Sequence, residues 1–130
     1  PKGARLLAQI HLQPPSGPQS QAGGVVAVYR RNPGGRVGLL PRAKTFTVFA
    51  RGLAPNTKRD AYAVWLYASP SQTRLLGFVN PGVRSNGVLK TEGVLPSNAA
   101  HYSRILITRE TSPQPAAPGK IVLSGKLTLG

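Results

Sequence analysis

Proton transfer, nucleophilic attack and metal binding each need ionisable or nucleophilic side chains held within reach of one another. This chain supplies few. Its acids are Asp60, Glu92 and Glu110, its histidines are His11 and His101, and cysteine is absent from all 130 residues. Asp60 follows Arg59 in a turn, Glu92 ends a weak strand, and Glu110 leaves a strand between Arg109 and Thr111, so each reads as a solvated or ion-paired surface group. His11 falls on the polar side of its strand, and His101 adjoins Tyr102 at a loop end. Zinc needs three or four ligands, which would mean recruiting two of the acids from separate segments. A triad of Ser69, His101 and Asp60 has no Gly-x-Ser-x-Gly turn to present it, and no glycine-rich phosphate cradle occurs. The chain is therefore expected not to be an enzyme, with no catalytic, cofactor-binding or metal-ligating residue and no cofactor.

Charge is the more informative chemistry. Lys and Arg number 17 against 3 acids, a formal net charge of +14, which favours anionic partners such as nucleic acid, an acidic membrane face or an acidic wall polymer. The positive residues run from Lys2 to Lys126 with no cluster tighter than Arg30-Arg31 or Lys58-Arg59, so there is no basic arm and no basic helix. Arg30, Arg31, Arg51, Lys58 and Arg59 are the candidate anion-contacting residues. Tyr29-Arg30-Arg31 and Phe49-Ala50-Arg51 imitate the interleaving of rings and cations in single-strand nucleic-acid modules. With one Trp, four Tyr and three Phe, however, most aromatics are needed for a core.

The elements that must position these groups are strands, because the apolar period is two. Leu6, Ala8, Ile10 and Leu12 share one face of a first strand, which Pro14-Pro15-Ser16-Gly17-Pro18 stops. Gly24 to Arg30 sets Val26 and Val28 against Val25, Ala27 and Tyr29, and Asn32-Pro33-Gly34-Gly35 turns the chain into a short return over Arg36 to Leu39. Thr45 to Arg51 is a third strand. Ala61 to Ala68 is apolar on both faces, which predicts a central strand with Trp65 in the core. Leu75 to Val79 reads as its hairpin partner, Val88 to Thr91 as a weak strand, and Pro96 to Ala100 as one helical turn capped by Ser97 or Asn98. Arg104 to Thr108 and Ile121 to Leu129 close the chain, the last with Ile121, Leu123, Leu127 and Leu129 on one face. Residues 1–130 thus predict one all-β domain, an antiparallel Ig-like β-sandwich of about eight short strands. No window approaches the ~18 uninterrupted apolar residues of a membrane span.

Five segments carry a family resemblance: Gly52-Leu53-Ala54-Pro55, Tyr62-Ala63-Val64-Trp65-Leu66, Leu76-Gly77-Phe78, Ile105 to Glu110, and Pro118 to Gly125. In that order and spacing they resemble the C-terminal domain of anti-sigma-K factors, over about residues 45 to 127. The resemblance implies the extracytoplasmic β-sandwich of a bacterial membrane-anchored anti-sigma factor that regulates transcription. The tether would be a transmembrane helix outside this chain, and a cytoplasmic region, also outside it, would bind the sigma factor. A regulatory protease and an anionic lipid or wall polymer are further expected partners. The alternative is a small basic β-domain that binds nucleic acid or other polyanions.

Overall fold

The computed structural model describes residues 4–14, 22–31, 44–57, 60–79, 82–96, 98–112 and 115–127. Alternation in β3 (Lys44–Arg51) shows how the body assembles: Phe46, Val48 and Ala50 are buried while Thr47, Phe49 and Arg51 face out. β3 pairs with β2 (Gly23–Arg31), whose Val26 and Val28 are fully buried, and β2 pairs with β1 (Ala4–Leu12). The other strands are β4 (Ala61–Ser69), β5 (Gln72–Phe78), β6 (Leu89–Val94), β7 (Arg104–Glu110) and β8 (Lys120–Lys126). They form two four-stranded sheets, a first of order β1-β2-β3-β6 and a second of order β5-β4-β7-β8, with every neighbouring pair antiparallel. The inner faces pack on each other as the expected sandwich, with Tyr62, Val64, Leu66, Ile105 and Ile107 of the second sheet in one core with Val26, Val28, Phe46 and Val48 of the first. The first three strands stay in one sheet, whereas in the immunoglobulin order the third has crossed to the other.

β4 lies between β5 and β7, as its two apolar faces predict. Trp65 is 2 % exposed, but it does not belong to the core between the sheets. The strand turns Tyr62, Val64 and Leu66 inward, so Trp65 points to the outer side, where it forms a separate buried cluster with Ala63 and Leu106 against Tyr67 and Leu75.

Two bulges correct the expected faces. Leu6 opposes Tyr29 and Ala8 opposes Val28, which leaves Leu7 as an extra residue. The period slips by one there: Leu7 and Ala8 pack on the core, and Leu6 turns outward, away from Ala8, Ile10 and Leu12. In β8, Leu123 opposes Ile107 and Ile121 opposes Thr108, so Val122 is the extra residue and Ile121 leaves the face of Leu123 and Leu127. The helical turn forms as a 3-10 turn over Ala99–His101, with Asn98 at its start making no side-chain cap bond. The expected turn and return over residues 32 to 39, Ser97 and Leu129 lie outside the described residues.

At one flank the sheets are stitched together. The Gln13 N–H donates to the Ser124 carbonyl at 2.9 Å, and the Ser124 N–H donates to the Gln13 carbonyl at 2.8 Å. Glycine is required beside this seam, because a Cβ on Gly125 would stand 2.7 Å from the His11 carbonyl oxygen and 2.8 Å from Ile10 Cγ2. No helix among the described residues is long and apolar enough to cross a membrane.

Candidate functional site

Asp60 stands at the entry to β4, where three donors converge on its carboxylate. Asn56 donates from its side-chain amide at 3.0 Å, the Thr57 backbone N–H donates at 2.9 Å, and Arg109 Nε donates at 2.6 Å across the β4–β7 pair. These bonds favour the ionised form and outweigh partial desolvation, and they lower the Asp60 pKa from 3.8 to about 2, Asn56 having the largest effect. Arg109 makes two further contacts: it donates to the Pro55 carbonyl at 3.2 Å and stands 5.8 Å from the Tyr62 ring centre. The Tyr62 hydroxyl donates to the Ala54 carbonyl at 2.6 Å, and burial raises its pKa above the ordinary 10. Asn56 Oδ1 accepts from the Val83 N–H at 2.7 Å, so the same corner fastens the loop that follows Phe78. Together these contacts tie the loop before β4 to β4, to β7 and to the loop after Phe78, and Asp60 is ion-paired, one of the two readings its sequence allowed.

Glu110 is buried, and among the described residues it has no ion-pair partner. It is 5 % exposed, because outward positions of β7 are buried in the second sheet. Its carboxylate closes a chain of hydrogen bonds: the Trp65 indole N–H donates to the Thr108 hydroxyl at 2.9 Å, that hydroxyl donates to Glu110 Oε2, and the Gly119 N–H donates to the same oxygen at 2.7 Å. Gly119 must lack a side chain for this approach, since its Cβ would lie 2.7 Å from Glu110 Oε1. A buried carboxylate is costly without donors, and here the hydroxyl and the amide supply them. Period two places Thr108 and Glu110 on one side of β7, but Gly119 could not be matched to Glu110 from the sequence, because that pairing depends on the β7–β8 register.

The remaining groups stay apart. His11 and His101 are exposed, the first on the outer face of β1 and the second on the 3-10 turn. Ser69 ends β4 at the opposite end from Asp60, roughly 30 Å along the strand, and its hydroxyl hydrogen-bonds with that of Ser71 at 3.2 Å. Among the described residues no three His, Asp or Glu side chains gather where a metal ion could bind.

The candidate anion contacts are dispersed too. Arg30 opposes Lys44 at one end of the β2–β3 pair, while Arg51 opposes Gly23 at the other. Arg30 shares the parity of buried Val26 and Val28, whereas Arg51 shares that of outward Thr47 and Phe49, so the two point to opposite sides. Arg31 ends β2, and Lys58 and Arg59 lie outside the described residues.

What the fold does assemble is the outer face of the first sheet. Register places His11, Val25, Phe49 and Lys90 in one row across all four strands, Gln9, Ala27, Thr47 and Glu92 in the next, and Leu6, Tyr29, Thr45 and Val94 in the third. An open groove of about 550 Å³ runs over Val25, Ala27, Thr47, Phe49, Lys90 and Glu92. It shares Val25 and Phe49 with a second hollow of about 530 Å³ against His11, Gln13 and Arg51. Lys90 Nζ stands 5.7 Å from the Phe49 ring centre. The Phe49-Ala50-Arg51 spacing signals part of this face, but Lys90 joins it only through the β3–β6 pairing. Comparison with protein families, with curated proteins and with solved structures finds no match for this chain.

Proposed function

We propose that this chain is the extracytoplasmic sensory or interaction domain of a membrane-anchored anti-sigma factor that regulates transcription, with no catalysis of its own. One observation supports the reading most: the five segments that carry the family resemblance are bonded to one another. Ala54 and Pro55 accept from Tyr62 and Arg109, Ala63 and Val64 pair with Phe78 and Gly77, Trp65 donates to Thr108, and Glu110 accepts from Gly119. Their order and spacing therefore have a physical basis in the second sheet and the loop tied to it, which is what a family signature of a structural kind requires. Asp60 and Glu110 are committed to holding loops, which fits a domain that presents surfaces instead of performing acid–base chemistry. In this reading the domain sits on the outer side of a bacterial membrane, tethered by a helix outside the chain, and the sigma factor meets a cytoplasmic region.

The test is the reading frame that contains the chain. It should encode one apolar span on the N-terminal side and a helical cytoplasmic segment before it, and that segment should capture a sigma factor in a pull-down. A frame without such a span overturns the assignment.

A second reading, a basic β-domain that binds nucleic acid or another polyanion, is favoured by the charge balance. Seventeen cations face three acids, and Asp60 is neutralised by Arg109 and Glu110 is buried. It predicts affinity that falls steeply with salt; absence of binding to single-stranded oligonucleotides at low ionic strength removes the nucleic-acid form of it.

A further inference from the structure

The three most exposed large hydrophobic side chains among the described residues, Leu6 (48 %), Phe49 (44 %) and Val94 (57 %), share one surface. All three stand on the outer face of the first sheet: Leu6 and Val94 at the two ends of one cross-strand row, Phe49 two rows away. Strand spacings make this a patch roughly 14 Å across in each direction. Lys90 lies beside Phe49 in the same row and Arg51 two residues along the same strand, with Glu92 the one acid on the face among the described residues.

We propose that this face docks on an anionic lipid surface, with Leu6, Phe49 and Val94 entering the headgroup boundary and Lys90 and Arg51 pairing with lipid phosphates. Charge and side-chain type select this occupant. A second copy seated face to face would bring together two chains of +14, which repel. Single-stranded nucleic acid needs rings on which successive bases stack, and Leu6 and Val94 offer its bases nothing comparable. A bilayer rich in acidic headgroups meets both features at once: apolar tips partition into the boundary region, and each Lys or Arg near the surface is drawn by its negative potential. The docking presupposes the membrane-apposed placement proposed above only for access to lipid.

Co-sedimentation of the 130-residue chain with vesicles tests it. Vesicles of phosphatidylcholine alone should leave the protein in solution, while vesicles mixed with phosphatidylglycerol should pellet it, and high salt should release it. Lys90→Glu should weaken the partition by at least about fivefold. Phe49→Ser and Val94→Ser should each weaken it by about tenfold while thermal melting stays that of the parent chain. Three results overturn the proposal: no dependence on phosphatidylglycerol; binding that Phe49→Ser and Val94→Ser leave intact, which would make it diffuse charge attraction; or lipid-free dimers, or oligonucleotide complexes, that the same variants abolish while vesicle binding survives. Because vesicles are presented to the free domain, failure here leaves the anti-sigma assignment to its own reading-frame test.

Discussion

On the first sheet, Thr47, Phe49, Lys90 and Glu92 turn outward and stay in solvent, whereas on the second sheet Ala63, Trp65, Leu106 and Thr108 turn outward and are buried. Both sheets obey the same two-residue alternation, so the pleat alone does not decide what an outward position meets. Side-chain bulk and polar pairing do. The indole of Trp65, with Tyr67 and Leu75 beside it, lies among small neighbours such as Ala63 and Thr108, and the Thr108–Glu110–Gly119 bonds draw the end of the β7–β8 loop against the sheet edge. Among the described residues the first sheet has no such anchor, and Thr47, Phe49, Lys90 and Glu92 stand exposed. One outer face is thus closed over by its own side chains, while the other stands exposed.

That contrast can be broken most severely at Trp65. Trp65→Ala should cost about 3–5 kcal/mol in chemical denaturation, because it empties the outer cluster and leaves the Thr108 hydroxyl without its donor. A loss below about 1 kcal/mol would mean that the cluster is ornamental to stability. Glu110→Ala should follow at about 1–3 kcal/mol, since Thr108 and the Gly119 N–H both lose an acceptor, and Glu110→Gln should recover part of it. Equal melting temperatures for the two variants would show that the carboxylate's volume matters and its hydrogen bonds do not.

On the first sheet the expected differences are smaller and more local. Leu7→Asp should destabilise by about 1–2 kcal/mol, whereas Leu6→Asp should stay within about 0.5 kcal/mol of the parent, because the bulge sends Leu7 toward the core and Leu6 into solvent. Reversal of that order would place the bulge elsewhere. The Asp60 corner should make stability pH-dependent only in acid. Its pKa is about 2 when folded against 3.8 ordinarily, so its stabilisation is complete above pH 3.8 and disappears as the pH falls toward 2. Asp60→Asn should flatten that part of the stability profile, and an unchanged acid slope would place the protons on another group.

Much of this was legible from residue order. The two apolar faces of Ala61 to Ala68 marked a central strand, and the Val26/Val28 alternation identified the buried face of β2. The slips at Leu7 and Val122 were not legible, because an extra residue in one strand is defined only by the strand opposite. The burial of Glu110 was hidden for a related reason: a carboxylate between Arg109 and Thr111 looks solvated until the β7–β8 register brings the Gly119 amide against it. Phe49 and Arg51 could be placed on one side by parity, but the row from His11 to Lys90 exists only once four separate segments are aligned.

The seam between Gln13 and Ser124 joins positions 111 apart (124 − 13). A chain leaving the ribosome amino end first can pair β1 with β2 early, yet Gln13, just past β1, waits for its partner until β8 has been synthesised. During that interval its free amide and carbonyl groups can recruit a stray strand from a neighbouring nascent chain. The bridge therefore forms late, and beyond it β1 stays an edge strand of its sheet.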